Sequence, residues 1–180
     1  MKKKVLFIMN PISGTSSKAG IPEQIASTLD TGLFDYDLVM TERAGHATEL
    51  AERAKNDNTD IVVAIGGDGT VNEVARGIVH SRTALGIIPC GSGNGLARHL
   101  ILPMNIKKCI KVLNACEIHA LDYGVINGYP FFCTCGMGFD AFVSMKFAES
   151  GKRGPISYAE NILREGLKYR PETYTIEDET

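Results

Sequence analysis

The sequence has no tryptophan, no long apolar run and no marked excess of charge of one sign. Its 180 residues carry a net charge of −2, which gives no support for bulk electrostatic binding to nucleic acid. No apolar run approaches the roughly 20 residues of a membrane-spanning helix. After the N-terminal lysines the apolar stretch covers only residues 5–9, so no signal peptide is recognised and we expect a cytoplasmic protein.

Cysteine is present in an odd number, which argues against a disulfide framework. The five are Cys90, Cys109, Cys116, Cys133 and Cys135. Their apolar contexts predict reduced thiols, most of them in the core. Cys133 and Cys135 alternate on a predicted strand, but no second Cys/His pair has ligand spacing, so the sequence does not favour a metal pair.

Several catalytic motifs are also missing. There is no G-x-x-x-x-G-K-S/T loop and no G-x-S-x-G elbow, which excludes the usual P-loop enzymes and gives no support for a hydrolase. The run GMGFDA at 136–141 fits a dinucleotide fingerprint, but it follows a predicted hairpin rather than a strand of a βαβ unit. The four histidines are scattered; His46 follows the second strand, and a surface role is favoured for it.

The first 115 residues alternate between strand and helix patterns. Short apolar runs predict strands at 5–9, 36–40, 60–65 and 84–88. Helical spacing predicts helices at 21–29, 48–55, 70–79, 96–100 and 106–115. This order predicts an α/β fold, a three-layer domain with a parallel sheet.

The pattern changes near residue 118. Strand-like runs at 118–126 and 129–135 flank Asn127–Gly128, which predicts a hairpin. Helices are predicted near 139–149 and 156–168, and a strand at 173–176. We therefore predict an α/β nucleotide-binding domain over 1–117 and the start of an antiparallel second domain over 118–180. An unpaired strand edge near 173–178 would suit a homodimer.

Four polar or glycine-rich segments directly follow the four predicted strands. They are NPISG at 10–14, Thr41–Glu42, GGDGT at 66–70 and PCGSGN at 89–94. In a parallel sheet these turns meet at the carboxyl edge, where ligands bind. Four such loops together are better evidence for a site than any one of them.

The chemistry of these loops suits a polyphosphate. Glycines let backbone N–H groups approach phosphate oxygens, and the following helix N-termini favour negative charge. Asp68 would repel phosphate unless a divalent cation lies between them. Plain structural roles remain as alternatives: tight turns for the glycines, a helix cap for Asp68, turn formation for Asn10 and Ser13, and dipole stabilisation for Glu73.

Taken together, these segments resemble the diacylglycerol kinase catalytic-domain family, which includes bacterial lipid kinases, sphingosine kinases and ceramide kinases. The resemblance rests on NPISG at 10–14, GGDGTVNEV at 66–74, PCGSGNGLAR at 89–98 and GMGFDA at 136–141, and it extends to residues 152–171. GGDGT alone is less specific, because NAD kinases share it.

The resemblance implies ATP and Mg²⁺, with the γ-phosphate passing to a lipid hydroxyl at a membrane surface. It implies a nucleotide domain of the NAD kinase/diacylglycerol kinase type, followed by a β-sandwich. Asp68 would be the catalytic carboxylate and the metal ligand. The implied nucleotide contacts are Asn10, Pro11, Ser13, Gly14, Thr41, Gly66, Gly67, Asp68, Gly69, Thr70, Asn72, Glu73, Gly91, Ser92, Gly93 and Asn94.

Two departures from the family pattern matter. Gly95 stands where many bacterial members carry an aspartate, and the wording GSGN-x-LA is closer to sphingosine and ceramide kinases. The second and larger departure is length: the resemblance implies a general base in the distal part of the second domain, beyond these 180 residues. We therefore expect ATP binding with little phosphoryl transfer. The alternatives are another GGDGT-type kinase, such as one acting on NAD, and a non-catalytic nucleotide-binding module.

Overall fold

The protein is described from a computed structural model, which covers residues 2–14, 17–149 and 169–177. The strands are β1 (Lys3–Met9), β2 (Phe34–Met40), β3 (Ile61–Gly66), β4 (Ala84–Pro89), β5 (Gly124–Ile126) and β6 (Tyr129–Phe131). The helices are α1 (Ile21–Thr28), α2 (His46–Asn56), α3 (Asp68–Ile78), α4 (Gly95–His99), α5 (Ile106–Ala115) and α6 (Phe139–Glu149).

The first four strands form one parallel sheet in the order β2-β1-β3-β4. Every residue of β3 is buried, as expected for a parallel strand covered on both faces. The α/β class and the alternation of strand and helix predicted from the sequence are therefore confirmed.

Two apolar cores flank the sheet because successive side chains of a strand point to opposite faces. Phe7 of β1 and Val63 of β3 pack with α1 and α5 on one face. Ile8 and Val62 pack with α2, α3 and α4 on the other. The sheet is thus the middle of three layers, and its carboxyl edge carries the loops of interest.

The Asn127–Gly128 turn is confirmed, but its hairpin is shorter than predicted. The φ angles of these residues are 51° and 81°, which is the backbone of a two-residue hairpin turn. Only three residues on each side pair. Tyr123 and Phe132, just outside the ladder, stack on each other, and the Tyr123 hydroxyl bonds to His80 Nε2 at 2.7 Å. These contacts direct the flanking segments toward the end of α3 instead of extending the ladder.

Consequently Cys133 and Cys135 do not lie on a strand, contrary to prediction, and both are exposed. The prediction of core cysteines holds for Cys109, and Cys90 and Cys116 pack against the core. All five thiols are free.

The chain divides into two compact units, one ending at Cys133 and one beginning at Thr134. In the second unit the predicted helix near 139–149 is present as α6, and the helix predicted at 156–168 lies outside the described residues. The strand predicted at 173–176 is wrong, because residues 169–177 form no regular structure and pair with no strand. The homodimer inferred from that edge loses its basis. Across the described ranges, no helix is both long and apolar enough to cross a membrane.

Candidate functional site

The four loops lie side by side along the carboxyl edge of the sheet. Hydrogen bonds continue the strand pairing into them: Thr41 N–H donates to Met9 O, and Asn10 N–H donates to Ile65 O. Cys90 N–H donates to Gly66 O. The edge therefore runs from Thr41 through Asn10 and Gly66 to the loop that begins at Pro89.

Asn10 ties the first loop to the start of α3. Its Oδ1 accepts a hydrogen bond from Ile12 N–H at 3.0 Å, and its Nδ2 donates to Thr70 Oγ1 at 3.3 Å. The Asn10 carbonyl accepts from Ser13 Oγ at 3.2 Å. The turn role considered for Asn10 is therefore real, and its amide also fixes the buried Thr70 hydroxyl. Pro11, the next residue of the first loop, is exposed.

Close approach of the loops limits the space for a side chain at three glycines. Gly14 has φ of +66°, and a Cβ there would collide with the Cys90 carbonyl oxygen. Gly67 and Gly91 face each other, and a Cβ on Gly67 would lie 3.1 Å from Gly91 Cα. Packing between loops thus accounts for glycine at these positions, and the phosphate contacts that the resemblance implies for them stay a prediction.

Gly69 is different, because a Cβ added there would meet nothing within 4 Å. It lies exposed in the first turn of α3, beside the exposed Asp68. The first N–H groups of a helix have no acceptor within the helix. The first turn of α3 therefore presents open donors to space that a ligand can fill.

Asp68 connects the third loop to the fourth. Its Oδ2 accepts from Asn94 N–H at 2.8 Å and its Oδ1 accepts from Gly95 N–H at 2.6 Å. Asn94, buried and at a φ of 55°, closes the fourth loop through two hydrogen bonds with Gly91, each 2.8 Å. Each carboxylate oxygen retains a second lone pair, so these two hydrogen bonds leave Asp68 able to bind a cation.

The remaining predicted residues differ in exposure and in the contacts they make. Ser92 and Gly93 are exposed in the fourth loop, and Gly93 O accepts from Arg98 Nε at 2.8 Å. Glu73, by contrast, is directed to α2, where its Oε2 accepts from Ala47 N–H at 3.2 Å.

Thr41 is buried at the edge, and Asn72 is half-buried on α3. In the loop after β2, His46 Nδ1 accepts from Glu42 N–H at 3.1 Å, which gives that histidine a local structural role.

Sequence reasoning missed Lys18. It is only 9% exposed, and its Nζ donates to the carbonyls of Pro11, at 3.5 Å, and Ser13. Lys18 belongs to no recognised motif, so nothing in the sequence marks this lysine of a serine-rich loop as part of the site.

The fit to a divalent cation rests on one carboxylate. Across residues 2–14, 17–149 and 169–177, no group of three His, Cys, Asp or Glu side chains could hold a metal by itself. Mg²⁺ commonly binds through one or two carboxylates together with phosphate oxygens and waters. Asp68 next to open backbone donors is compatible with that mode. Burial raises the pKa of the Cys90 thiol in the fourth loop, so at neutral pH this side chain is a neutral thiol and not a thiolate ligand for a cation.

Comparison with known proteins gives a consistent match. Residues 4–126 match the family model described as diacylglycerol kinase catalytic domain. Diacylglycerol kinases of Staphylococcus saprophyticus and Staphylococcus aureus are 35% and 34% identical over 163 residues, which is 88% of this chain. The crystal structure of a diacylglycerol kinase from Bacillus anthracis is 30% identical with a TM-score of 0.61, over 72% of this chain.

The matches cover only part of these proteins. The aligned region is 53% and 51% of the two staphylococcal proteins and 48% of the Bacillus chain. The chain thus spans about half the length of the curated relatives it matches.

Proposed function

The chain belongs to the diacylglycerol kinase catalytic-domain family, and on that premise we propose that it is the ATP-binding part of an ATP-dependent lipid kinase. The reaction is transfer of the ATP γ-phosphate to a lipid hydroxyl, of diacylglycerol or sphingosine type. The observation that carries this proposal is the alignment of four loops along one sheet edge, with open helix donors and a single carboxylate beside them.

Different residues of the site are proposed to bind phosphate, to bind the cation and to fix the loops. We propose that the N–H groups of Gly69 and Thr70 and the hydroxyl of Ser92 donate to phosphate oxygens. Asp68 holds Mg²⁺, whose charge offsets that of the phosphates. Phosphoryl transfer depends mainly on positioning and charge neutralisation, which such a set of residues supplies. Asn10, Gly14, Gly67, Gly91, Gly93 and Asn94 keep the loops at the required separation.

We place the nucleotide domain in residues 1–117 and the start of the second domain in 118–180. The resemblance puts the general base in the distal second domain, so these 180 residues alone should bind ATP and transfer phosphate slowly. The lipid substrate implies contact with a membrane surface, which we propose is peripheral.

The proposal can be tested with the 180-residue chain. Displacement of a fluorescent ATP analogue by ATP in the presence of Mg²⁺, with NAD as the control competitor, measures the nucleotide preference. Displacement by ATP supports the nucleotide site, and phosphorylation of NAD by the chain in the presence of ATP would favour a kinase acting on NAD. Radioactive γ-phosphate appearing in micellar diacylglycerol or sphingosine at the rate of an intact lipid kinase would contradict the expected slow transfer.

A further inference from the structure

Lys18 is a buried cation without a carboxylate partner in the described part of the chain. Its side chain is 9% exposed, and the two ion pairs there join Lys2 to Asp35 and Arg43 to Glu49. Burial of an ammonium is costly unless hydrogen bonds compensate it. The compensation comes from two carbonyls of a single loop, those of Pro11 and Ser13.

These two bonds fix the orientation of the loop's peptide planes. A trans peptide is planar, so the N–H of one residue points opposite to the carbonyl of the residue before it. Because Ser13 O is turned toward Lys18, the N–H of Gly14 must point away from the ammonium. A Cβ on Gly14 would collide with the Cys90 carbonyl oxygen, so the Cα of Gly14, at a positive φ, lies close to the fourth loop.

We propose that Lys18 is a positioning residue of the nucleotide site. Its ammonium holds the peptide between Ser13 and Gly14 so that the Gly14 N–H is presented to a phosphate oxygen. This inference rests on the proposed function, and it assigns to Lys18 a role that the motif residues cannot supply, since none of them bonds to the Ser13 carbonyl.

Two substitutions separate the donor from the volume of the side chain. Lys18→Met keeps the length and removes the donors, whereas Lys18→Arg keeps donors for both carbonyls. We expect Lys18→Met to weaken Mg²⁺–ATP binding by about tenfold or more, the equivalent of one charge-assisted hydrogen bond. Lys18→Arg should restore most of the affinity. Lys107→Met, an exposed lysine on α5, is the matched control and should bind like the wild type.

A second measurement does not depend on nucleotide. In ligand-free protein, Lys18→Met should speed amide hydrogen exchange of Ile12 and Ser13, whose N–H groups donate to Asn10 within the loop. The amides of β3 should keep their protection. Unchanged exchange in this loop would overturn the positioning role, whether or not ATP binds.

The outcomes are distinguishable. If the wild type does not bind ATP, the proposed function fails, and exchange still decides whether Lys18 fixes the loop. If the wild type binds and Lys18→Met binds equally well with an unchanged unfolding midpoint, the proposed function stands and the role of Lys18 is refuted. Equal loss in Lys18→Arg and Lys18→Met would also refute it, because the arginine retains the donors.

Discussion

The carboxylate of Asp68 and the backbone of Asn94 join the two glycine-rich loops of the sheet edge, at 2.8 Å from Oδ2 to N. The second oxygen accepts from Gly95 N–H at 2.6 Å. Asp68 was identified in the sequence as a charged residue near the phosphates. It is therefore also a link to a second loop, through Asn94, 26 residues further along the chain. This double role makes separate predictions for stability and for binding.

Replacement of Asp68 by asparagine should weaken the link between the loops. Asparagine has a single acceptor oxygen, and its NH₂ group would face the N–H that the lost oxygen served. We expect the free energy of unfolding to fall by about 1 kcal/mol, the net value of a hydrogen bond at a partly exposed position. Urea denaturation measures it, with Asp37→Asn on β2 as the exposed control. Equal stability of both variants would show that the link contributes nothing.

The contact between Gly67 and Gly91 predicts opposite behaviour for two Gly→Ala substitutions. Gly91→Ala would push its Cβ into Gly67 Cα, so the loops must separate at a cost of about 1–3 kcal/mol. Gly69→Ala meets nothing within 4 Å and should leave thermal stability unchanged or slightly higher. Yet Gly69→Ala should still weaken ATP binding if phosphate approaches that backbone. Wild-type affinity in Gly69→Ala would remove Gly69 from the site.

Glu73 is predicted to matter more for α2 than for nucleotide. Its carboxylate accepts from Ala47 N–H at 3.2 Å in the first turn of that helix. Glu73→Ala should therefore lower the free energy of unfolding by about 1 kcal/mol, as for loss of a helix cap. Glu52→Ala, at an exposed position of α2, is the control. A large loss of ATP affinity with intact stability would instead support the direct contact that the family resemblance implies.

Thiol reactivity should separate the cysteines. Burial raises the pKa of Cys109 to about 11, which lowers its thiolate fraction at pH 8 to about a thousandth. Cys133 and Cys135 are exposed. Iodoacetamide at pH 8, followed by peptide mass mapping, should label these two first and Cys109 last, because the thiolate is the nucleophile. Labelling of Cys109 should accelerate as the pH rises toward 11. Fast labelling of Cys109 at pH 8 would contradict its burial.

The fold was predictable from the sequence because its signals are local. The continuous apolar run of β3 and the helical spacing in α3 are each readable within a dozen residues. Parallel strands then place all following loops at one edge, so the convergence of Asn10, Gly66 and Pro89 also followed. The Asn127–Gly128 turn was likewise a local signal.

Details of the site were not predictable because they depend on contacts across the chain. Which loop Asp68 would bind, and that Glu73 would face α2, are set by how neighbouring elements pack. The role of Lys18 could not be predicted, because it depends on the orientation of the Pro11 and Ser13 carbonyls in the folded loop. The strand predicted at 173–176 failed for a related reason, since strand propensity needs a partner strand to form a ladder.

The most direct test of the proposed nucleotide site is isothermal calorimetry of ATP with Mg²⁺, on the wild type, Asp68→Ala and the control Asp37→Ala. We expect saturable binding by the wild type and the control. Asp68→Ala should bind clearly more weakly, and its remaining binding should no longer depend on Mg²⁺. Equal, Mg²⁺-dependent binding by all three proteins would contradict the assignment of Asp68 as the metal-linked carboxylate. Absence of binding by the wild type would contradict the nucleotide site itself.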